Sequence, residues 1–229
     1  MKLSIIIPCY NEMETLPKIL DKVEKVKLKN KIKKEIILID DFSSDGTREY
    51  IKNLPNRFVK ILHKKNRGKG GAVKSGILQA TGEIIIIQDA DLEYDPGDYN
   101  KVIYPILSGK ADVVYGSRSL KKDNAYSHLT FLLGGKLVTL VTNILFFSRL
   151  TDEPTCYKVF KSDIIKKIKI NGEKFDWEPE ITAKILKRGI KIREVPISYY
   201  PRKKDEGKKI NWKDGIHAIW TLVKYRFKE

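Results

Sequence analysis

Five short apolar runs set the rhythm of the first half of the chain: LSIIIP at residues 3–8, KEIILIDD at 34–41, FVKILH at 58–63, GEIIIIQDAD at 82–91 and ADVVYGSR at 111–118. Their apolar positions are consecutive rather than alternating, which suits strands buried on both faces and therefore a mostly parallel sheet covered by helices. Helical patterns fill the gaps at 14–28, 46–53, 70–80 and 96–108, the second of them opening at the cap residues Asp45 and Gly46. Past residue 118 the alternation stops. There the pattern predicts an apolar helix over 129–147, a short run CYKVF at 156–160, a helix over 178–188, a strand IREVPISYY at 192–200 and a last amphipathic helix. No Ser/Pro-rich linker or internal repeat interrupts the chain, so the expectation is one α/β domain over 1–229, with halves at 1–118 and 119–229.

The segment LTFLLGGKLVTLVTNILFF at 129–147 carries a single charge, Lys136. It is close to the ~20 residues that span a bilayer, but Gly134, Gly135, Lys136 and three threonines weaken that reading. A buried helix is the first expectation, with an interfacial helix and a membrane span as alternatives. The formal net charge of +16, from 45 basic and 29 acidic residues, draws anions such as nucleic acid, acidic lipid or phosphorylated small molecules without choosing among them. Cys9 and Cys156 are the two cysteines and both lie in apolar stretches, which predicts reduced thiols and a cytosolic chain. Met1 leads straight into strand pattern with no cleavage site, so no export signal is expected.

Chemistry gathers where the strands end. PCYNE at 8–12, DDFSSDGT at 40–47, KKNRGKGG at 64–71 and QDADLE at 88–93 each follow one of the first four strands. In a parallel sheet these clusters share the carboxyl edge, where open α/β sheets bind ligands. Asp89 and Asp91 offer two hard oxygen donors at the end of a rigid apolar approach, the donor type that magnesium or manganese takes alongside substrate phosphates and water. Asp45, Gly46 and Thr47 read as a turn and a helix start, whereas Asp40 or Asp41 is placed to accept hydrogen bonds from a ligand such as a nucleobase N–H. NRGKGGAVKSG fits neither phosphate-loop signature, since Val73 stands where the last glycine of G-x-G-x-x-G belongs. Its glycines still predict backbone amides and Lys69 approaching an anion at a helix N-terminus. His63, His128 and His217 stand apart in sequence, and no serine or cysteine has the partners of a nucleophilic triad.

Taken in order and at these spacings, IIIPCYNE, IDDFSSDGT, NRGKGGAVKSG, QDADLEYDP, GSR and TDEPTCYKVF resemble the family 2 glycosyltransferases, and within them the dolichyl- or polyprenyl-phosphate sugar synthases. The resemblance extends through FDWEPEITAKILKRGIKIREVPISYYPRKKDEGKKINWKDG at 175–215. It implies a GT-A fold with a C-terminal amphipathic helix, a UDP- or GDP-linked sugar donor, Mg2+ or Mn2+, and inversion at the anomeric carbon. Carried over by motif, Pro8, Tyr10, Glu12, Asp40, Asp41, Lys69 and Ala90 would line the nucleotide-sugar pocket, and Asp89 and Asp91 would face metal and diphosphate. Ser117, Arg118, His128, Arg202 and Lys209 would hold donor or acceptor phosphates. Larger members of the family carry C-terminal transmembrane helices, whereas IHAIWTLVKYRFKE is amphipathic, basic and aromatic, so a peripheral enzyme on the cytoplasmic face of an anionic membrane is expected.

A lipid phosphate is already anionic at neutral pH, so a dedicated general base is less necessary than for an alcohol, and the harder demand is positive charge to bring two anions together. Arg118, Arg202 and Lys209 are candidates for that charge, and residues 119–133 add only Lys121, Lys122 and His128. Asp152 is the candidate base if the acceptor is a saccharide hydroxyl instead. A nucleic-acid-binding module is the remote alternative: the basic residues are spread over many elements, without a recognised motif and with an acidic cluster at the ligand edge.

Overall fold

A computed structural model describes residues 1–124, 129–202 and 212–228. Seven strands form one sheet: β1 (Lys2–Cys9), β2 (Lys33–Asp40), β3 (Val59–Leu62), β4 (Ile84–Ile87), β5 (Val113–Ser117), β6 (Lys158–Lys161) and β7 (Ile192–Pro196). The helices are α1 (Leu16–Lys25), α2 (Thr47–Asn53), α3 (Gly68–Gln79), α4 (Tyr99–Leu107), α5 (Leu129–Phe146), the short α6 (Ser162–Ile165), α7 (Trp177–Lys187) and α8 (Trp212–Phe227). The strand order is β3-β2-β1-β4-β6-β5-β7. Strand β1 pairs in parallel with β2 and β4, β2 with β3, and β5 with β7. Strand β6 alone runs backwards, wedged antiparallel between β4 and β5.

The four isoleucines of β4 explain themselves here. Ile84 and Ile86 belong to the core on one face, with Ile5 and Ile7 of β1 and the inner sides of α1 and α4. Ile85 and Ile87 belong to the core on the other face, with Ile6, Ile37 and Ile39 under α3 and α7. Because successive strand residues point to opposite faces, a strand covered on both sides must be apolar at every position. The strand stops at Ile87, short of the predicted Asp91, because Gln88 turns inward and accepts hydrogen bonds from Tyr99 (2.9 Å) and Tyr157 (2.6 Å).

Helix α5 corrects the expectation of a buried segment. Its inner side, with Val138, Val141 and Leu145, packs with Ala183 of α7 and Leu222 and Tyr225 of α8. Leu133, Leu137, Leu140 and Ile144, spaced as one helical face, are exposed. Phe147 and, on α8, Ile216, Trp220 and Phe227 are exposed as well. Among the described residues, no helix is long and apolar enough to cross a membrane.

Candidate active site

All four polar clusters lie at the carboxyl ends of β1 to β4, on one edge of the sheet. The loops after β1 and β2 are stitched together. Asn11 donates its N–H to Ser43 Oγ (3.0 Å) and accepts from the Ser44 N–H (2.9 Å), while the Glu12 N–H donates to Thr47 Oγ1 (3.0 Å). Pro8, next to the end of β1, is half-buried, Tyr10 is exposed and Glu12 is buried.

Asp40 and Asp41 follow β2 into different environments. Asp40 accepts from Arg48 (2.5 Å) and from the backbone N–H groups of Phe42 (3.3 Å) and Ser43 (3.2 Å), so it shapes its own loop. Asp41 Oδ1 is met by His63 Nδ1 (2.7 Å) and the Arg67 N–H (2.8 Å), and His63 is braced in turn by Ser75. Asp41 Oδ2 is buried with no hydrogen-bond partner.

Past Ile87, Asp89, Ala90 and Asp91 sit where the edge opens, the first two buried. Each carboxylate faces a cation from elsewhere in the chain. Lys69 of α3 reaches Asp89 (2.9 Å), Glu178 (3.0 Å) and the Cys156 thiol (3.1 Å). Burial works against the Lys69 ammonium, but Asp89, Cys156 and Glu178 outweigh it and hold its pKa well above the usual range. Burial pushes the Cys156 thiol up. Arg202 bridges Asp91 (3.2 Å) and Glu12 (3.5 Å), and its backbone N–H donates to Glu93 (2.8 Å). Burial, with Asp89 and Glu93 nearby, pushes the Asp91 carboxyl up to about 7 despite Arg202. Two carboxylates converging at the edge form a donor set suited to a hard divalent ion, with substrate oxygens completing its shell. Among the described residues, no group of three His, Cys, Asp or Glu is arranged to hold a metal by itself.

The glycine-rich stretch is corrected most. The amides of Gly70 and Gly71, expected to approach an anion, donate to the carbonyls of Lys174 (3.1 Å) and Glu173 (3.0 Å). A Cβ at Gly68 would lie 2.5 Å from the Glu173 carbonyl oxygen. These glycines therefore let the 172–174 backbone press against α3.

On the other side of the edge, Asp152 grips Arg118 through Nε (2.8 Å), Nη2 (2.7 Å) and the backbone N–H (2.8 Å). The guanidinium also lies 5.1 Å from the centre of the Tyr199 ring. Ser117 shares a hydrogen bond with Thr151 (2.7 Å). His128 and Lys209 lie outside the described residues. The site thus gathers Tyr10, Glu12, Asp41, Asp89 and Asp91 with Arg202, which returns from the far end of the sheet. Glu178 escaped the sequence reading as part of this edge, although FDWEPE, within the resembling segment, was an available signal for it. Glu93, the last residue of QDADLE, and His63, directly before KKNRGKGG, lay at the predicted edge without being assigned a role.

A family model described as glycosyl transferase family 2 matches residues 4–168, most of the chain. The chain belongs to that family. As a family 2 glycosyltransferase it is 31% identical to a dolichyl-phosphate beta-glucosyltransferase of Dictyostelium discoideum, over 99% of this chain and 74% of the relative. It is 27% identical to a dolichol-phosphate mannosyltransferase of Pyrococcus furiosus, over 91% of this chain and 59% of the relative. Among solved structures, glucosyl-3-phosphoglycerate synthase from Mycobacterium tuberculosis, in complex with Mn2+, UDP and phosphoglyceric acid, superimposes with a TM-score of 0.75 at 16% identity, covering 100% of this chain and 79% of that one. That likeness establishes the fold, and the expected GT-A architecture of this glycosyltransferase is borne out.

Proposed function

We propose that this glycosyltransferase moves a hexose, with inversion, from a UDP- or GDP-linked sugar to a dolichyl or polyprenyl phosphate. The observation that carries the acceptor class is that relatives matching nearly the whole chain are named as dolichyl- or dolichol-phosphate sugar transferases. The geometry supports it. Asp152, the base a hydroxyl acceptor would need, is spent on Arg118, whereas a phosphate acceptor arrives ionised.

In the proposed reaction an oxygen of the acceptor phosphate attacks the anomeric carbon, and the bond to the diphosphate breaks with both electrons leaving on the nucleotide. Arg118, oriented by Asp152, and Ser117 are read as acceptor-phosphate ligands, with His128 and Lys209 assigned alongside them. A fixed guanidinium costs no reorganisation when charge develops. Arg202 is a phosphate ligand once it leaves Asp91. Pro8, Tyr10, Glu12, Asp41 and Ala90 line the nucleotide pocket, and Asp40 shapes its loop. Asp89 and Asp91 would hold Mg2+ or Mn2+, which would neutralise charge on the departing diphosphate. We further assign 1–118 as the donor half and 119–229 as the acceptor half of one domain.

The exposed stripe on α5 and the exposed Trp220 and Phe227 of α8, flanked by Lys136, Arg149, Lys224 and Lys228, support docking on an anionic bilayer at its cytoplasmic face. The lipid chain of the acceptor would then never leave the membrane.

The test is transfer of labelled sugar from UDP-glucose, UDP-N-acetylglucosamine and GDP-mannose to a polyprenyl phosphate with Mn2+ or Mg2+. Asp91→Asn is expected to lower turnover by about 10²–10³-fold. No product from any donor, with nucleotide binding intact, would transfer the assignment to a saccharide acceptor.

A further inference from the structure

Phe42 is an anomaly. Its φ of +70° lies in the left-handed region, where a bulky side chain is strained. Packing does not repay that strain, since Phe42 is 53% exposed and belongs to none of the apolar clusters of the core. The conformation is nevertheless enforced. The N–H groups of Phe42 and Ser43 are tied to the Asp40 carboxylate, Arg48 holds that carboxylate from behind, and Asn11 stitches the loop to its neighbour. Strain held in place by its surroundings, without gain to the core, is characteristic of ligand sites.

A second, independent observation says what kind of ligand. Asp41, the residue before Phe42, is 2% exposed, and its Oδ2 is buried without a partner while Oδ1 is occupied. Such an acceptor calls for an N–H donor at that point. A nucleobase with a ring N–H, as in uracil or guanine, supplies one on a flat ring, whereas the corresponding ring nitrogens of adenine and cytosine are acceptors. The register Cys9↔Asp40 puts the exposed ring of Tyr10 on the adjoining loop, so two exposed aromatic residues flank the position of Asp41 at the sheet edge.

We infer that Phe42 is a wall of the nucleotide pocket, its ring packed against a base that donates a ring N–H to Asp41. The inference rests on the nucleotide-sugar reading and adds a residue to it. Its strained backbone supplies an unusual test, because glycine at 42 relieves the strain while deleting the wall.

Calorimetric titrations with UDP and GDP in the presence of Mn2+, and with Mn2+ pyrophosphate as a ligand without a base, compare the wild type with Phe42→Gly and Phe42→Tyr. Phe42→Gly is expected to melt about 2–4 °C higher yet bind the nucleotide about tenfold more weakly. Its affinity for pyrophosphate should not change, and Phe42→Tyr should behave as wild type. Unchanged nucleotide affinity in Phe42→Gly overturns the inference, as does an equal loss for pyrophosphate, which would make Phe42 a loop-shaping residue only. Failure of the wild type to bind either UDP or GDP would instead bring down the nucleotide-sugar reading itself, and this inference with it.

Discussion

The carboxyl edge of the sheet and the outer face of α5 and α8 invert the usual distribution of polarity in opposite senses. At the edge, Asp41, Asp89, Asp152 and Glu178 are buried; Lys69 pairs with Asp89 and Glu178, Arg118 pairs with Asp152, and His63 shares a hydrogen bond with Asp41. On the helices, Leu137, Leu140, Ile144, Trp220 and Phe227 face outward. Buried carboxylates are costly unless paired, and a contiguous apolar patch is unusual on a soluble surface. Under the proposed function each region gains what it lacks: an anionic, metal-bound ligand at the edge, and an apolar phase against the helices.

The sharpest way to break this comparison is to charge the apolar face. The double change Leu137→Asp and Leu140→Asp should reduce binding to vesicles containing anionic lipid by about a hundredfold or more, from the loss of two inserted leucines. Turnover on a short, water-soluble polyprenyl phosphate should stay within about twofold of wild type. Equal sedimentation of variant and wild type with vesicles at low salt would show that the stripe is not the docking face.

A smaller effect is expected at the edge. If Arg202 stands where a metal ion must come, Arg202→Gln should raise Mn2+ affinity about fivefold in the absence of nucleotide, the scale of one partly exposed ion pair. Electron paramagnetic resonance of free Mn2+ measures this without any turnover, and weaker Mn2+ binding would reverse the assigned competition.

The smallest effect concerns Glu153, fully buried beside the edge. Burial pushes its pKa up from 4.5, and Lys158 opposes this incompletely. Stability from the neutral carboxyl is fully present below about pH 4.5 and is lost as the pH rises toward the raised value. Glu153→Gln should therefore melt with wild type near about pH 4 and about 2–4 °C above it near about pH 8. A constant difference across that range would remove the titration of Glu153 as its cause.

Much of the edge was legible because strand period and turn chemistry are local. The consecutive isoleucines of β4 and the polar clusters after four strands place Asp41, Asp89 and Asp91 together from sequence alone. What stayed hidden depends on partners far along the chain. Arg202 meets Asp91 across 111 positions, and Glu178 meets Lys69 across 109. The glycines of α3 were misread for the same reason: close approach to an anion and close approach to the 172–174 backbone make identical demands on a sequence. For α5, composition announced an apolar helix but not which side the rest of the fold would cover.

The reversed strand β6 has a consequence for how the chain is made. Strands β3, β2, β1 and β4 can assemble from the first 87 residues, but β4 gains its second neighbour only when residues 158–161 arrive and slot in before β5. Until then four isoleucines line an open sheet edge, the kind of surface that recruits other chains. A fragment ending at residue 118 should accordingly aggregate during expression, and the two halves of the molecule, however separable their chemistry, should be inseparable as folding units.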